Sequence, residues 1–180
     1  MPTTLKIYLL GPFRVAVDGE LVGEQRWSRR KPTLLLKLLA LQPHHQLHRE
    51  QVMELLWPEL DPEAASNNLH KAIHMARRAL EPEISSAAGS HFIVTKGQHI
   101  VLRAPEKLWI DFEAFERAAA EAVKSDQKEA CEAALAIYGG DLLATARGVV
   151  DEDLQGKNAQ FTNPKLTSEA MGWATKILVV

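Results

Sequence analysis

The start of the chain alternates short apolar runs with turn residues, which is the pattern of a small β-meander. The apolar run of residues 5–10 ends at Gly11-Pro12, and residues 13–17 alternate with a period of two. Asp18-Gly19 is a hairpin-turn dipeptide that leads into a further apolar pair. We therefore expect three short strands at the beginning of the fold.

Two helices are predicted next. The first, residues 33–41, is almost wholly apolar and must be buried, with Pro32 in its first turn and Pro43 beyond its end. The second runs from about residue 49 to residue 57, where Trp-Pro ends it. Its apolar residues, which we expect on one side of the helix, are Val52, Leu55 and Leu56.

The third predicted helix, residues 61–81, has an apolar stripe and a polar face without acidic residues. Asp61 can cap this helix, and proline fits its first turn. No Asp or Glu occurs between Glu63 and Glu81. At about 100° per residue the stripe consists of Leu69, Ile73, Ala76 and Leu80, flanked by Ala65 and Ala72. Opposite it lie Asn67, Lys71, His74 and Arg78, with His70 and Arg77 on one shoulder.

These polar side chains are of the types that bind DNA. Asn forms paired hydrogen bonds with adenine, and Arg and Lys bind guanine or phosphate. A recognition helix contacts bases mainly with its N-terminal part, so the later Arg77 and Arg78 are assigned to the DNA backbone. Base edges or nearby phosphates are assigned to Asn67, His70, Lys71 and His74. The alternative is an amphipathic helix whose polar face is merely solvated.

A β-hairpin is predicted after the third helix. Residues 91–95 and 99–103 are apolar-rich runs joined by Lys96-Gly97-Gln98. A small sheet, three helices and then a hairpin form the winged-helix arrangement. A wing lies along the phosphate backbone or in the minor groove, where Lys96 and Arg103 would contribute positive charge.

The remainder of the chain has a helical pattern. Residues 104–107, which include a proline, are predicted to be a linker, and a second helix of about residues 127–138 ends at Gly139-Gly140. The preceding helix would be capped by Asp111 and would bury Phe112, Phe115, Ala119 and Val123. This hairpin resembles one unit of a tetratricopeptide-like array. Two domains are thus expected, 1–104 for DNA binding and 105–180 for the helical part.

The distribution of charge supports this division. Residues 1–104 contain thirteen Lys/Arg, ten Asp/Glu and all seven His, whereas residues 105–180 contain eight Lys/Arg and thirteen Asp/Glu. The formal charges of +3 and −5 indicate one half that faces nucleic acid and one that faces another partner. A single cysteine, no apolar run long enough for a membrane span and no leader pattern predict a soluble intracellular protein.

Several motifs together resemble one family of bacterial regulators. They are Ile7-Tyr8-Leu9-Leu10-Gly11-Pro12-Phe13, Arg30-Lys31-Pro32, the segment 49–58, Ala64-Ala65-Ser66-Asn67-Asn68-Leu69 with Ala76-Arg77-Arg78-Ala79-Leu80, and the segment 110–143. This combination resembles the SARP regulators, the antibiotic regulatory proteins of bacteria. Gln98-His99 stands where the family's wing has a Gly-Tyr-like pair. No family pattern follows Leu143, although the tail can place Leu166, Ala170, Trp173 and Ile177 on one helical face.

The resemblance implies an α+β protein. Its first part would be an OmpR-type winged helix-turn-helix, and its second an incomplete tetratricopeptide-like helical domain, the bacterial transcriptional activation domain, with a divergent tail from about residue 144. It implies a cytoplasmic activator, associated with the nucleoid when bound, that binds promoter repeats as paired monomers and contacts RNA polymerase. The family's recognition role falls on Asn67, Lys71, His74 and Arg78.

Two other classes of function are compatible with parts of the sequence. A metal enzyme is suggested by His70 and His74, one helical turn apart, but Lys71 lies between them and no His-Glu-x-x-His glutamate accompanies them. Phosphate-binding glycine loops and nucleophile elbows are missing from the sequence, so neither catalysis nor a cofactor is predicted. The second class is a helical protein-interaction module, in which the acidic C-terminal hairpin would be the working part.

Overall fold

A computed structural model describes residues 2–27, 29–83, 89–125, 127–140 and 142. These residues belong to the first of two compact units, Met1–Thr145. Within them lie two small β-sheets and five α-helices, so the protein is of the α+β class. The helical face expected around Leu166, Ala170, Trp173 and Ile177 lies outside the described residues.

The first sheet contains the predicted meander and one additional strand. Its strands are β1 (Thr4–Tyr8), β2 (Arg14–Val17), β3 (Glu20–Leu21) and β7 (Lys107–Ile110). They lie in the order β3-β2-β1-β7, and β7 is parallel to β1. The last residue assigned to the predicted linker, Lys107, is therefore the first residue of a strand, opposite Thr4. The domain boundary at residue 104 stays a prediction.

The three predicted helices are present. They are α1 (Arg30–Leu41), α2 (Arg49–Leu56) and α3 (Pro62–Leu80). The prediction for α2 was wrong in one respect, because Val52 and Leu56 are buried whereas Leu55 is 53% exposed. Positions 52 and 56 are one helical turn apart and share a face, while position 55 is rotated away from it.

Helix α3 begins and packs as its sequence predicts. An Asp61 side-chain oxygen accepts hydrogen bonds from the backbone N–H groups of Glu63 and Ala64, at 3.0 and 2.9 Å. The apolar stripe is buried in a common core with α1, α2 and both sheets, and its members are Ala65, Leu69, Ala72, Ile73, Ala76 and Leu80. Because this stripe is fixed against the core, the opposite face of α3 must point outward.

The second sheet contains the predicted hairpin. Its strands are β4 (Gln46–His48), β5 (Ile93–Lys96) and β6 (His99–Leu102), in the order β4-β6-β5. We call the hairpin of β5 and β6 the wing. The inward side chains of the wing, Ile93, Ile100 and Leu102, are almost fully buried in the core. Phe92, just before β5, is buried with them. The winged-helix architecture expected from the sequence is thus present.

A helical hairpin follows β7. Its helices are α4 (Asp111–Ser125) and α5 (Lys128–Ile137). Ala114, Ala122 and Ala134 are buried, whereas Val123 is 60% exposed, so the face predicted for α4 was wrong at that position. Alanine side chains let helices approach closely, and Val123 is rotated by about 100° from the buried Ala122, which leaves it exposed.

The Asp111 carboxylate connects this hairpin to the first sheet. Its oxygens accept hydrogen bonds from the backbone N–H groups of Leu9 and Leu10, at 2.8 and 2.9 Å, and from that of Phe112 at 2.7 Å. Burial raises the pKa of Asp111, although these three N–H groups favour its charged form. Asp111, the first residue of α4, therefore fixes the backbone just after β1, while its role as the cap of α4 stays a prediction.

Candidate DNA-binding surface

The polar face of α3 is exposed. We give the name recognition face to Asn67, Lys71, His74 and Arg78, all of which are exposed. None of these four side chains makes a hydrogen bond or an ion pair with another residue that the structure describes. His70 is exposed beside them. Donors with no partner inside the protein can bind an external ligand without first breaking an internal bond.

Arg77 differs from the recognition face because it is attached to the wing. Its Nε donates to the Ile93 carbonyl oxygen at 2.8 Å, and its Nη2 donates to the Thr95 hydroxyl at 3.3 Å. Burial lowers the pKa of the Arg77 guanidinium, while the nearby Glu81 carboxylate raises it. Arg77 therefore fixes the wing to α3, a role that the helical wheel did not predict. Its assignment to the DNA backbone stays a prediction.

A buried carboxylate fixes the start of the wing. Glu81, 5% exposed, accepts hydrogen bonds from the Ser90 hydroxyl and from the backbone N–H of His91. Its Oε1 is also 2.6 Å from Nδ1 of His91. The end of α3 and the beginning of β5 are thus held together at one charged residue.

Lys96 lies at the tip of the wing. It is exposed at the end of β5 and is paired in register with His99 across a two-residue turn. Gly97 in that turn has φ 58°, a left-handed conformation that glycine adopts without strain. The ammonium group is therefore presented by a tight, ordered turn.

A cleft that the sequence did not predict separates α3 from the wing. His70, His74 and Arg77 line it from α3, and Thr95, Gly97 and Gln98 line it from the wing, with Arg49 at one end and Leu69, Ile73 and Ile100 at its base. We call it the wing cleft. It brings two of the predicted site residues, His70 and His74, next to a residue of α2.

Arg49 is the main addition to the predicted site. Its Nη2 donates to the Ser66 hydroxyl at 2.7 Å, and its backbone N–H donates to the Gln98 carbonyl oxygen at 2.8 Å. This first residue of α2 thus contacts both α3 and the turn of the wing. Its place at the start of α2 was visible in the sequence, but no local spacing connects it with Ser66 or Gln98.

The described residues give no support to a metal centre. No group of three or more His, Cys, Asp or Glu among them could hold a metal ion, and no third ligand accompanies His70 and His74. Nor does any helix in this part of the chain combine the length and apolarity needed to cross a membrane.

Comparison with known proteins identifies a similar fold. No protein-family model matches the chain, and no curated protein sequence matches it either. Among solved structures, Mycobacterium tuberculosis EmbR in complex with a low-affinity phosphopeptide is similar, with a TM-score of 0.59 and 22% sequence identity. The match covers 79% of this chain and 38% of the EmbR chain, so this chain spans well under half of that protein. The likeness shows the fold alone, and it agrees with the α+β architecture predicted from the sequence.

Proposed function

We propose that this protein is a sequence-specific DNA-binding transcription regulator of the SARP type. The observation that supports this most directly is the recognition face, an exposed acid-free row of amide, imidazole and cationic groups on α3. A helix of this kind fits the major groove, where Asn67 and Lys71 would contact base edges. His70 and His74 would contact base edges or nearby phosphates, and Arg78 the backbone.

The wing gives this surface a second point of contact. Arg77 and Glu81 hold the wing beside α3, so Lys96 is presented at a fixed distance from the recognition face. A cation at that place would bind phosphate or enter the minor groove. We further propose that the regulator acts in the cytoplasm, binds promoter repeats as paired molecules and activates transcription through contact with RNA polymerase.

A binding experiment at two salt concentrations tests the central proposal. Duplexes that the full chain retains from a random pool would be sequenced, and their affinity measured by mobility shift at 50 and 200 mM salt. A regulator with several phosphate contacts selects a recurring sequence and loses orders of magnitude in affinity between these salt concentrations. Absence of salt-dependent binding would reject the proposal and favour the helical interaction module.

A further inference from the structure

We propose that one DNA backbone phosphate binds in the wing cleft. Arg49 would be its principal ligand, and His70 and His74 would bind it more strongly when they are protonated. This inference rests on the proposed function and deepens it. It adds a contact residue from α2 and assigns the two histidines to phosphate rather than to base edges. It also gives Arg77 a positioning role instead of a DNA contact.

The charges around the cleft fit an anion. Two guanidinium groups and two imidazoles line it, and no carboxylate does. The charged groups nearest to the histidines on their own helix are Lys71, Arg77 and Arg78, while α2 contributes Arg49 and the wing contributes Lys96 and His99. Acidic groups of the neighbouring elements lie outside the lining: Glu81 binds His91 and is close enough to Arg77 to raise its pKa, while α2 carries Glu50, beside His48, and the exposed Glu54. An oxyanion in the cleft would thus be surrounded by guanidinium, imidazole and neutral side chains, with no carboxylate among the lining residues.

Arg49 is the lining cation best prepared to bind an external oxyanion. A guanidinium has five N–H donors, of which the Ser66 hydroxyl takes one. The remaining donors include the pairs that bind two phosphate oxygens at once. Arg77 is less suited, since its Nε and Nη2 already bind the wing. The Ser66 contact holds Arg49 in one conformation, which reduces the entropy lost when a ligand binds.

The imidazoles complete the site. His70 and His74 make no hydrogen bond with other described residues, so their ring N–H groups are available to the cleft. Thr95 and Gln98 supply neutral polar groups on the wing side, and Gly97 leaves its own side free of a side chain. A phosphate here would touch α2, α3 and the wing together, which would fix the register of the whole domain on the duplex.

Variants of the full chain test this site on the duplexes selected above. Arg49→Gln should weaken binding to specific and random duplexes by a similar factor, about tenfold, and reduce the slope of log affinity against log salt by about one. Lys124→Gln, which removes an exposed charge from α4, is the control and should change neither. An unchanged salt slope in Arg49→Gln would overturn the proposal. Loss confined to the specific duplex would also overturn it, because that result identifies a base contact.

A change on the DNA side locates the phosphate even if Arg49→Gln alters folding. Single phosphates would be replaced one at a time by neutral methylphosphonates, and Arg49→Lys would be measured beside the Gln variant. The proposal expects one position at which the wild type loses most affinity, Arg49→Gln loses much less because only the histidine contacts remain, and Arg49→Lys loses an intermediate amount. Absence of any such position would overturn it. Saturation of the cleft by inorganic phosphate without such a position would identify a site for small anions instead. If the wild type itself binds no duplex, the proposed function fails, which is a separate outcome.

Discussion

Gly11 and Gly139 touch through their backbones, with no space for a side chain between them. A Cβ added to Gly11 would meet the carbonyl oxygen of Gly139, and one added to Gly139 would lie 2.7 Å from the carbonyl oxygen of Leu10. Gly11 also has φ 79°. This backbone contact and the hydrogen bonds of the Asp111 carboxylate together attach the helical hairpin to the segment that follows β1.

Substitution of Gly11 by Ala should therefore destabilise the protein strongly. The left-handed backbone costs about 1–2 kcal/mol for a residue with a Cβ, and the collision with Gly139 adds about 1–3 kcal/mol. We expect the free energy of unfolding, measured with urea, to fall by about 2–5 kcal/mol. Gly19→Ala is the matched control, because Gly19 has φ 89° but no atom within 4 Å of an added Cβ. Equal losses in the two variants would show that the close contact does not matter.

The buried Lys37 should make the free energy of unfolding increase with pH in the alkaline range. Its side chain is buried in α1, with the ammonium nitrogen 4.6 Å from the ring centroid of Phe13. Burial lowers the pKa of Lys37 to about 8, whereas an unfolded lysine has a pKa of about 10.4. Between these values the unfolded chain binds more protons, so the folded state gains stability as the pH rises and holds this gain above the unfolded pKa.

We expect a gain of about 2–3 kcal/mol, because each unit of difference between the folded and unfolded pKa corresponds to about 1.4 kcal/mol. Urea unfolding at pH 7, 8, 9 and 10 measures it. Lys37→Met should be more stable than the wild type at pH 7 and should lack this rise. A wild-type profile parallel to that of the variant would show that Lys37 does not cause the pH dependence.

Removal of two charges from the recognition face should abolish specific DNA binding. Lys71→Ala with Arg78→Ala takes away a base contact and a backbone contact, and we expect at least about a hundredfold loss of affinity for the selected duplex. The matched control is Lys124→Ala with Lys128→Ala, which removes the same charge from α4 and α5. Specific affinity retained in the first variant would place the recognition surface on another face.

DNA affinity should rise as the pH falls through the titration range of imidazole. Protonation of His70 and His74 would add positive charge beside the phosphates, and histidine is the side chain that gains charge as the pH falls below neutrality. Mobility shift at fixed salt between pH 5.5 and 8 should show a rise in the wild type and a smaller one in His70→Gln with His74→Gln.

His44→Asn is the control for that titration. His44 is exposed on a turn before α2 with φ 59°, a conformation that asparagine tolerates. This variant should keep the full pH dependence. A rise undiminished in the double variant would assign the effect to other groups, such as His48 and His99, whose rings are 5.3 Å apart.

Local sequence patterns were sufficient for most of the fold. Strand alternation, turn dipeptides, the Asp61 cap and the apolar stripe of α3 depend on neighbours within a few residues, and the structure confirms them. Strand β4 was missed because its three residues are too few to show alternation. Strand β7 was missed because its pairing partner lies near the other end of the described chain and Pro105 suggested a linker.

The candidate site, like the fold, could be predicted from the sequence only in part. The helical wheel selected residues that the structure finds exposed on one side of α3, because helical periodicity and a buried stripe determine which way they point. The wing cleft could not be selected, since Arg49, Ser66 and Gln98 come together only through the packing of three elements. For the same reason the wheel could not separate Arg77, which binds the wing, from Arg78, which is exposed.

The parallel pairing of β1 with β7 also bears on how the chain folds during synthesis. Thr4 is synthesised before the helices and the wing, but its partner Lys107 follows only after the entire wing has been made. Until then one edge of β1 has unpaired backbone groups, which can pair with the wrong strand. A chain released at residue 104 would keep that open edge permanently. Helix α3 and the wing would be complete in such a chain. Aggregation, rather than the loss of proposed DNA contacts, would then limit its yield as a folded protein.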